Sequence, residues 1–195
     1  MLNQLNINLF NYINQFANHS LFLNNLGVFF AKYLVYIFVL IIIILWFTNK
    51  KNKNISFYVF YATVLGLIIN YIVTIFYFHP RPFMINLGTQ LINHSIGTSL
   101  PSDHTTILLS IAIMLIYFKN TKKLGIILTI FGLLGGISRI FCGVHFPLDI
   151  IASIFVALIS TYTIYKLIPK LEKVNKFLLN IYFWIFKKLN TILKV

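Results

Sequence analysis

The alternation of long apolar stretches with short polar ones predicts a bundle of membrane-spanning helices. Apolar runs cover about 27–47, 55–78, 124–141 and 147–168. A helix needs roughly 20 apolar residues to cross a bilayer, so each run is close to or above the required length. A shorter apolar helix is predicted over about 102–118, because Pro-Ser-Asp immediately before it is a helix-start signal. The pattern therefore predicts an all-α polytopic membrane bundle of about five transmembrane helices.

Both ends of the chain have amphipathic rather than continuous apolar patterns. Residues 1–20 place apolar side chains at helical spacing with Asn and Gln between them, which is too polar to span. Residues 171–195 repeat apolar residues every three or four positions, with lysines between them. We expect an interfacial helix at each end, since a sixth span would have to bury Lys187 and Lys188. The whole chain, 1–195, is predicted to be a single domain with its motif-bearing core at 55–168.

Composition and charge support a membrane protein and indicate its orientation. The chain is 59% hydrophobic and carries a net charge of +13, with 16 basic residues against 3 acids. All lysines except Lys32 lie at 49–54, at 119–123 or from Lys166 onward, beside apolar runs, which favours the positive-inside pattern over a nucleic-acid partner. That side is predicted to be cytoplasmic. Lys32, near the start of the first span, is expected to snorkel toward the interface.

The rare ionisable residues are concentrated in two segments. The segment at 79–106 contains one of the two arginines and three of the five histidines, and the segment at 138–149 contains the other arginine, a histidine and an aspartate. Five spans place the 79–106 loop and the 142–147 connector together on the outer face. These two segments, distant in sequence, are therefore predicted to form one joint site.

The residue types in these segments are suited to phosphoryl chemistry. Arg81 and Arg139 could simply snorkel, but guanidinium groups near His and Asp favour a phosphate clamp, because they bind phosphoryl oxygens in a bidentate manner. Ser102 begins a helix, whose free N–H groups bind anions, although a plain helix cap explains Ser102 equally well. His145 and Asp149 are four residues apart, so the carboxylate can fix the imidazole tautomer and leave the other nitrogen free as a nucleophile.

A metal site is the alternative interpretation of the same side chains. Possible ligands are His79, His94, His104, His145, Asp103 and Asp149. No helical H-x-x-x-H pair or cysteine-containing zinc pattern is present, and the two arginines would repel a cation. The set favours metal-free phosphoryl transfer, in which one histidine attacks and a second protonates the leaving group.

At these residues the chain resembles the type 2 phosphatidic acid phosphatase superfamily. That family has three signatures: a Lys followed seven residues later by Arg-Pro; Pro-Ser-Gly-His; and Ser-Arg followed by a His and, four residues on, an Asp. The matches are Arg81-Pro82, Pro101-Ser102-Asp103-His104 with Asp for Gly, and Ser138-Arg139 with His145 and Asp149. The segments HPRPF, PSDHTT and GVHFPLD are similar to those of bacterial undecaprenyl-diphosphate phosphatases of the bacitracin-resistance type.

Two positions depart from the family pattern. The family lysine falls at Thr74, which cannot supply a positive charge, and Asn70 one turn earlier is a neutral stand-in. Asp103 brings a negative charge close to a phosphate site, which is unfavourable unless the carboxylate faces away as a helix cap.

The resemblance implies a role for each matched residue. His145 is the implied nucleophile, Asp149 orients it, and His104 is the general acid and later the base that activates water. The residues implied to hold the phosphoryl group are Arg81, Ser102 and Arg139. No cofactor or metal is implied. The implied reaction converts undecaprenyl diphosphate to undecaprenyl phosphate and phosphate on the outer face of the bacterial cell membrane, which recycles the lipid carrier of cell-wall synthesis.

Other functions share these motifs, since the motifs recognise the phosphate and not the lipid tail. The alternatives are a phosphatase for phosphatidylglycerol phosphate, lipid A phosphate or phosphatidic acid, and a non-catalytic membrane carrier that binds an anion through the arginines. A carrier does not require the pairing of His145 with Asp149. Possible substrate contacts in the loop are Gln90, Asn93, His94 and Thr98, whereas His79 and His94 are expected to be solvated rather than catalytic.

Overall fold

The computed structural model describes residues 2–192, and within them it consists of helices and connecting loops, which confirms the predicted all-α class. The α-helices are α1 (Leu2–Asn14), α2 (Leu21–Val28), α3 (Leu34–Thr48), α4 (Lys50–Phe76), α5 (Asp103–Ile116), α6 (Lys122–Phe141) and α7 (Pro147–Ile192). A π-helix, Phe29–Tyr33, joins α2 to α3, and a 3-10 helix, Pro82–Ile85, lies in the long loop.

Four helical segments in the described chain are long and apolar enough to cross a membrane: Leu21–Thr48, Lys50–Phe76, Lys122–Phe141 and Pro147–Ile185. The fifth predicted helix, α5, is shorter, at 14 residues. It rises about 1.5 Å per residue and is therefore shorter than the hydrocarbon thickness. It packs against α4, α6 and α7, and its buried side chains, such as Leu109 and Met114, form part of the core. Helix α5 is thus surrounded by three longer helices of the bundle.

The basic C-terminal segment is not a separate interfacial helix in this structure. Helix α7 continues from Pro147 to Ile192 with Pro169 inside it, although a proline removes one backbone hydrogen bond. Asn175 is fully buried and accepts a hydrogen bond of 2.9 Å from the Tyr61 hydroxyl on α4. This packing explains why the helix continues through the segment. Residue 1 of the predicted N-terminal helix and residues 193–195 of the predicted tail lie outside the described residues.

Glycines on α6 allow close packing against the neighbouring helices. A Cβ at Gly132 would lie 3.0 Å from the Leu109 side chain on α5, and one at Gly136 would lie 2.8 Å from Ile150 on α7. Both distances are at or below the tightest contacts that real Cβ atoms make. The resulting contact holds the C-terminal end of α6 against the N-terminal ends of α5 and α7.

Helix α1 fastens the loops at this end of the bundle through its asparagines. The Asn14 amide donates to the Thr89 and Phe141 carbonyls at 2.9 and 2.8 Å, and its oxygen accepts from the Thr89 amide at 2.7 Å. The Asn6 oxygen accepts from the Leu148 amide at 3.0 Å. The polar positions that prevent α1 from spanning therefore attach it to the loops that carry the candidate site.

Candidate active site

The 79–101 loop and the 142–146 connector meet at one end of the bundle, as the sequence predicted. The Leu91 amide donates to the Cys142 carbonyl at 3.1 Å. Gly143 has φ +75°, and a Cβ there would overlap the Thr89 carbonyl oxygen. Only glycine adopts this conformation readily while allowing so close an approach. The connector is thereby held directly against the loop.

His145 and Asp149 form a buried pair at the start of α7. His145 Nδ1 lies 3.3 Å from Asp149 Oδ2, which also accepts a hydrogen bond of 2.7 Å from the Phe146 amide. A carboxylate can only accept, so the contact favours the tautomer with hydrogen on Nδ1 and a free electron pair on Nε2. Pro147 occupies the first position of α7, where its missing N–H is harmless. The proline and the helix start thus fix the four-residue spacing of the pair.

The free nitrogen of His145 faces an arginine. Arg81 Nη1 lies 3.1 Å from His145 Nε2 and donates to the Val144 carbonyl at 3.1 Å. Burial lowers the pKa of His145 to about 3, although the Asp149 carboxylate opposes this shift. The imidazole is therefore neutral at physiological pH, which is the form that can attack phosphorus.

Arg139 presents unused hydrogen-bond donors to the same region. Its side chain is only 3% exposed, and Nη1 donates to the Ala31 carbonyl at 3.0 Å. The Nε and Nη2 groups of Arg139, like Nε of Arg81, are buried without a partner. Guanidinium N–H groups form strong, often bidentate hydrogen bonds to phosphoryl oxygens, so these donors are suited to bind an anionic ligand.

Ser102 and His104 lie at the start of α5. The Ser102 hydroxyl accepts from the Thr105 amide at 3.4 Å, and the Ser102 amide donates to the Ser153 hydroxyl at 2.8 Å. Ser102 is fully buried and caps α5, and its phosphate-binding role stays a prediction. His104, the second residue of the helix, lines a cavity of about 450 Å³ together with Arg139.

Asp103 is turned toward a partner on α4. Its Oδ1 accepts a hydrogen bond of 2.8 Å from the Asn70 amide, which also donates to the Thr106 hydroxyl at 3.1 Å. Asn70 is 1% exposed, so it serves as a buried clamp for Asp103 rather than as a neutral substitute for the family lysine. Thr74 likewise donates its hydroxyl to the Tyr71 carbonyl at 2.7 Å.

Removing the Asn70 clamp should make the Asp103 charge harmful. We expect Asn70→Leu to lower kcat/KM for a lipid phosphate roughly tenfold, equivalent to ~1.4 kcal/mol, because the released carboxylate can approach the anionic substrate. Combining Asn70→Leu with Asp103→Gly should restore activity, since the double variant has no carboxylate to release. Steady-state phosphate release checks this, and an equally impaired double variant would show that Asn70 acts through helix packing alone.

His79 and His94, which the sequence predicted to be solvated loop residues, lie close to the candidate site. His79 Nδ1 lies 2.7 Å from the Ser99 hydroxyl and 3.4 Å from Asp149 Oδ1, so His79 approaches the second carboxylate oxygen. The His94 ring lies 6.1 Å from the His145 ring, edge to face, and burial together with both arginines lowers the pKa of His94 to about 4. The sequence offered one indication of this proximity, because both histidines occur in the loop that holds Arg81.

The other loop candidates differ in position. Asn93 lines the cavity beside His94. The Gln90 amide donates to the Ile92 carbonyl at 2.8 Å, and the Thr98 hydroxyl accepts from the His79 amide at 3.1 Å, so both stabilise the loop itself. Among residues 2–192, no group of three His, Cys, Asp or Glu side chains is arranged to hold a metal ion.

Comparisons with known proteins agree with the motifs. A family model described as the PAP2 superfamily matches residues 55–173, which confirms the predicted resemblance. Undecaprenyl-diphosphatase BcrC of Bacillus subtilis (strain 168) is 36% identical over 186 residues, covering 95% of this chain and 95% of that protein. Bacitracin transport permease protein BcrC of Bacillus licheniformis is 33% identical, covering 90% of this chain and 86% of that protein. The crystal structure of Aquifex aeolicus LpxE is similar, with a TM-score of 0.71, 28% identity and coverage of 83% of this chain and 95% of that one.

Proposed function

Because the chain belongs to the PAP2 superfamily, we propose that it is a membrane lipid pyrophosphatase that hydrolyses undecaprenyl diphosphate to undecaprenyl phosphate and phosphate. The observation that carries the proposal is the buried pair of His145 and Asp149, whose free imidazole nitrogen faces Arg81. The relative named undecaprenyl-diphosphatase, matched over nearly the whole chain, supports this substrate.

The first chemical step transfers the terminal phosphoryl group to histidine. His145 Nε2 forms a bond to phosphorus while the bond from phosphorus to the bridging oxygen breaks. Burial and the two arginines lower the pKa of His104 to about 4, and the negative charge of the bound substrate opposes that shift and favours the imidazolium form. His104 then gives its proton to the departing oxygen, so undecaprenyl phosphate leaves as a less basic anion. Asp149 stabilises the positive charge that the attacking imidazole acquires, through its contact with Nδ1.

The second step returns the enzyme to its starting state. His104, now neutral, takes a proton from water, the water oxygen attacks phosphorus, and the bond between Nε2 and phosphorus breaks. Arg81, Ser102 and Arg139 hold the three peripheral oxygens in both steps. Because these hydrogen-bond donors are already in position before the reaction begins, they stabilise the negative charge that develops on the phosphoryl oxygens. This electrostatic term is usually the largest single contribution to catalysis.

The cellular setting follows from the orientation predicted by the lysines. The site would face outward from a bacterial cell membrane, where the lipid carrier of cell-wall synthesis is released as a diphosphate. Hydrolysis there returns the carrier to the monophosphate form. Several apolar helices of spanning length support a multi-pass membrane protein.

The test is phosphate release by purified protein in detergent, with undecaprenyl diphosphate, phosphatidylglycerol phosphate and phosphatidic acid compared at equal surface concentration. We expect the diphosphate to give the highest kcat/KM and a chelator to leave the rate unchanged. Preference for a monophosphate lipid would assign another substrate to the same chemistry. Inhibition by the chelator would indicate that the histidines bind a metal, and binding of every lipid without release of phosphate would favour an anion carrier.

A further inference from the structure

Lys32 occupies a position unlike that of any other lysine among residues 2–192. It lies in the π-helix Phe29–Tyr33, toward the end of the bundle where the two arginines lie, whereas the other lysines occur at the opposite loops or in the C-terminal segment. The Ala31 carbonyl accepts the hydrogen bond of 3.0 Å from Arg139 Nη1. The backbone next to Lys32 is therefore in direct contact with the candidate phosphate site.

The local structure at Lys32 also suggests a functional position. π-Helices are rare, and they occur frequently at functional sites. A charged side chain within a membrane-spanning segment is costly, and such residues usually serve a pathway or a ligand. Among the ion pairs of residues 2–192, the acids pair with His79, His145 and Lys176, and none pairs with Lys32. The Lys32 ammonium group lies over the ring of Tyr33, with Nζ 5.4 Å from the ring centroid, and no acidic partner in the described chain offsets its charge.

The cavity beside Arg139 is lined by both Lys32 and the candidate proton donor His104. It has a volume of about 450 Å³, and its polar lining includes Lys32, Tyr36, Asn93, His94, His104 and Arg139. Lys32 and Tyr36 enter from the first span, and Asn93 and His94 enter from the long loop. His145 and Arg81 are not among the residues that line this cavity. The cavity therefore lies on the side of the proposed proton donor, His104, which is where a leaving group departs.

We propose that Lys32 binds the second phosphate of the substrate, the one that stays attached to the lipid, and so selects lipid diphosphates over lipid monophosphates. This inference rests on the proposed function. The terminal phosphoryl group lies between His145 and the two arginines, and the bridging oxygen faces His104. The remaining phosphate then occupies the cavity, where the ammonium group of Lys32 offsets its charge.

The same residue compensates for the position where this chain departs from its family. Thr74 carries no charge, and its hydroxyl is bonded to the Tyr71 carbonyl. Lys32 restores a third basic side chain to the site from a different helix and on a different side. The family lysine would lie beside the terminal phosphate, whereas Lys32 lies beside the phosphate that leaves with the lipid. Only a diphosphate has this second phosphate, so the position of Lys32 favours diphosphates over monophosphates.

The experiment compares farnesyl diphosphate with farnesyl monophosphate, which share one tail, using the full chain in detergent. We expect Lys32→Met to lower the ratio of kcat/KM for the diphosphate to that for the monophosphate at least tenfold. Lys32→Arg should retain most of the ratio because it keeps the charge. Lys119→Met is the matched control, since Lys119 is an exposed lysine in the loop after α5. An unchanged ratio in Lys32→Met would overturn the inference.

A second measurement, inhibitor binding, keeps the inference testable if Lys32→Met folds poorly. It also distinguishes failure of this inference from failure of the proposed function. In Lys32→Gln, inhibition by methylenediphosphonate should weaken about tenfold relative to inhibition by inorganic phosphate, because only the former has two phosphorus centres. Equal weakening, or none, in folded protein would contradict the role of Lys32. A wild-type protein that does not hydrolyse any diphosphate would contradict the proposed function itself, whatever the variants do.

Discussion

His145→Ala is expected to reduce phosphate release from undecaprenyl diphosphate by at least roughly 10³-fold, since it removes the atom that would attack phosphorus. The buried imidazole is neutral and its Nδ1 is committed to Asp149, so the electron pair available for attack is the one on Nε2, which lies 3.1 Å from Arg81 Nη1. Neither Arg81 nor Arg139 can replace it, because a guanidinium group stays protonated and has no free electron pair.

The measurement that identifies the nucleophile is capture of the covalent intermediate. Substrate labelled with ³²P on the terminal phosphorus should leave acid-labile, alkali-stable label on the wild-type protein after rapid quenching. His145→Ala should carry no label. His104→Ala should retain label for longer than wild type, because the base that activates water is missing while the nucleophile is present. The two histidines thereby give opposite results in one assay.

A matched control for these variants is His19→Ala. His19 is an exposed histidine in the turn between α1 and α2, so its removal should change neither the rate nor the labelling. Near-normal turnover by His145→Ala, or label retained on that variant, would contradict the histidine mechanism. Label on His104→Ala that disappears as quickly as in wild type would contradict the role of His104 as base.

The sequence was sufficient to predict the helical bundle and the meeting of the two motif segments. Apolar length predicts spans directly, because the bilayer thickness is fixed. Two helices, α5 and α6, lie between the two segments, and their antiparallel packing brings both segments to the same end of the bundle. The pairing of His145 with Asp149 was also predictable, since it depends only on a four-residue spacing at a helix start.

The contacts that sequence reasoning missed are those between residues far apart in the chain. Asn70 reaches Asp103 because α4 packs against α5, and His79 reaches Asp149 because the loop folds back over the start of α7. Neither contact follows from spacing or composition. The position of Lys32 was missed for a different reason, because a lysine near the end of a span ordinarily extends to the interface, and only the π-helix and the cavity distinguish this one.

The length of the last helix also shows a limit of pattern reasoning. The change from an apolar to an amphipathic pattern near Pro169 predicted that the span ends there. In the structure the helix continues, because Asn175 and its neighbours pack against α4. Tertiary contacts outweigh the loss of one backbone hydrogen bond at the proline.

Arg139→Lys is expected to lower kcat/KM roughly 10²-fold or more, which is the usual effect of removing one fixed donor to a developing anion. The guanidinium group has one donor on the Ala31 carbonyl and two buried nitrogens left for the phosphoryl oxygens. A lysine ammonium has one nitrogen, so it cannot reach both the carbonyl and the phosphate in the same geometry. Charge alone is therefore not enough at this position.

Orthovanadate, which imitates the trigonal-bipyramidal transition state, separates a phosphate-binding role from a structural one. If Arg139 binds the phosphoryl oxygens, the vanadate inhibition constant should rise by about the same factor as kcat/KM falls, because both report transition-state binding. The thermal unfolding temperature of Arg139→Lys should stay close to that of wild type, since the lysine can still donate to Ala31. A lower unfolding temperature with unchanged vanadate inhibition would instead mean that Arg139 only joins α6 to the first span.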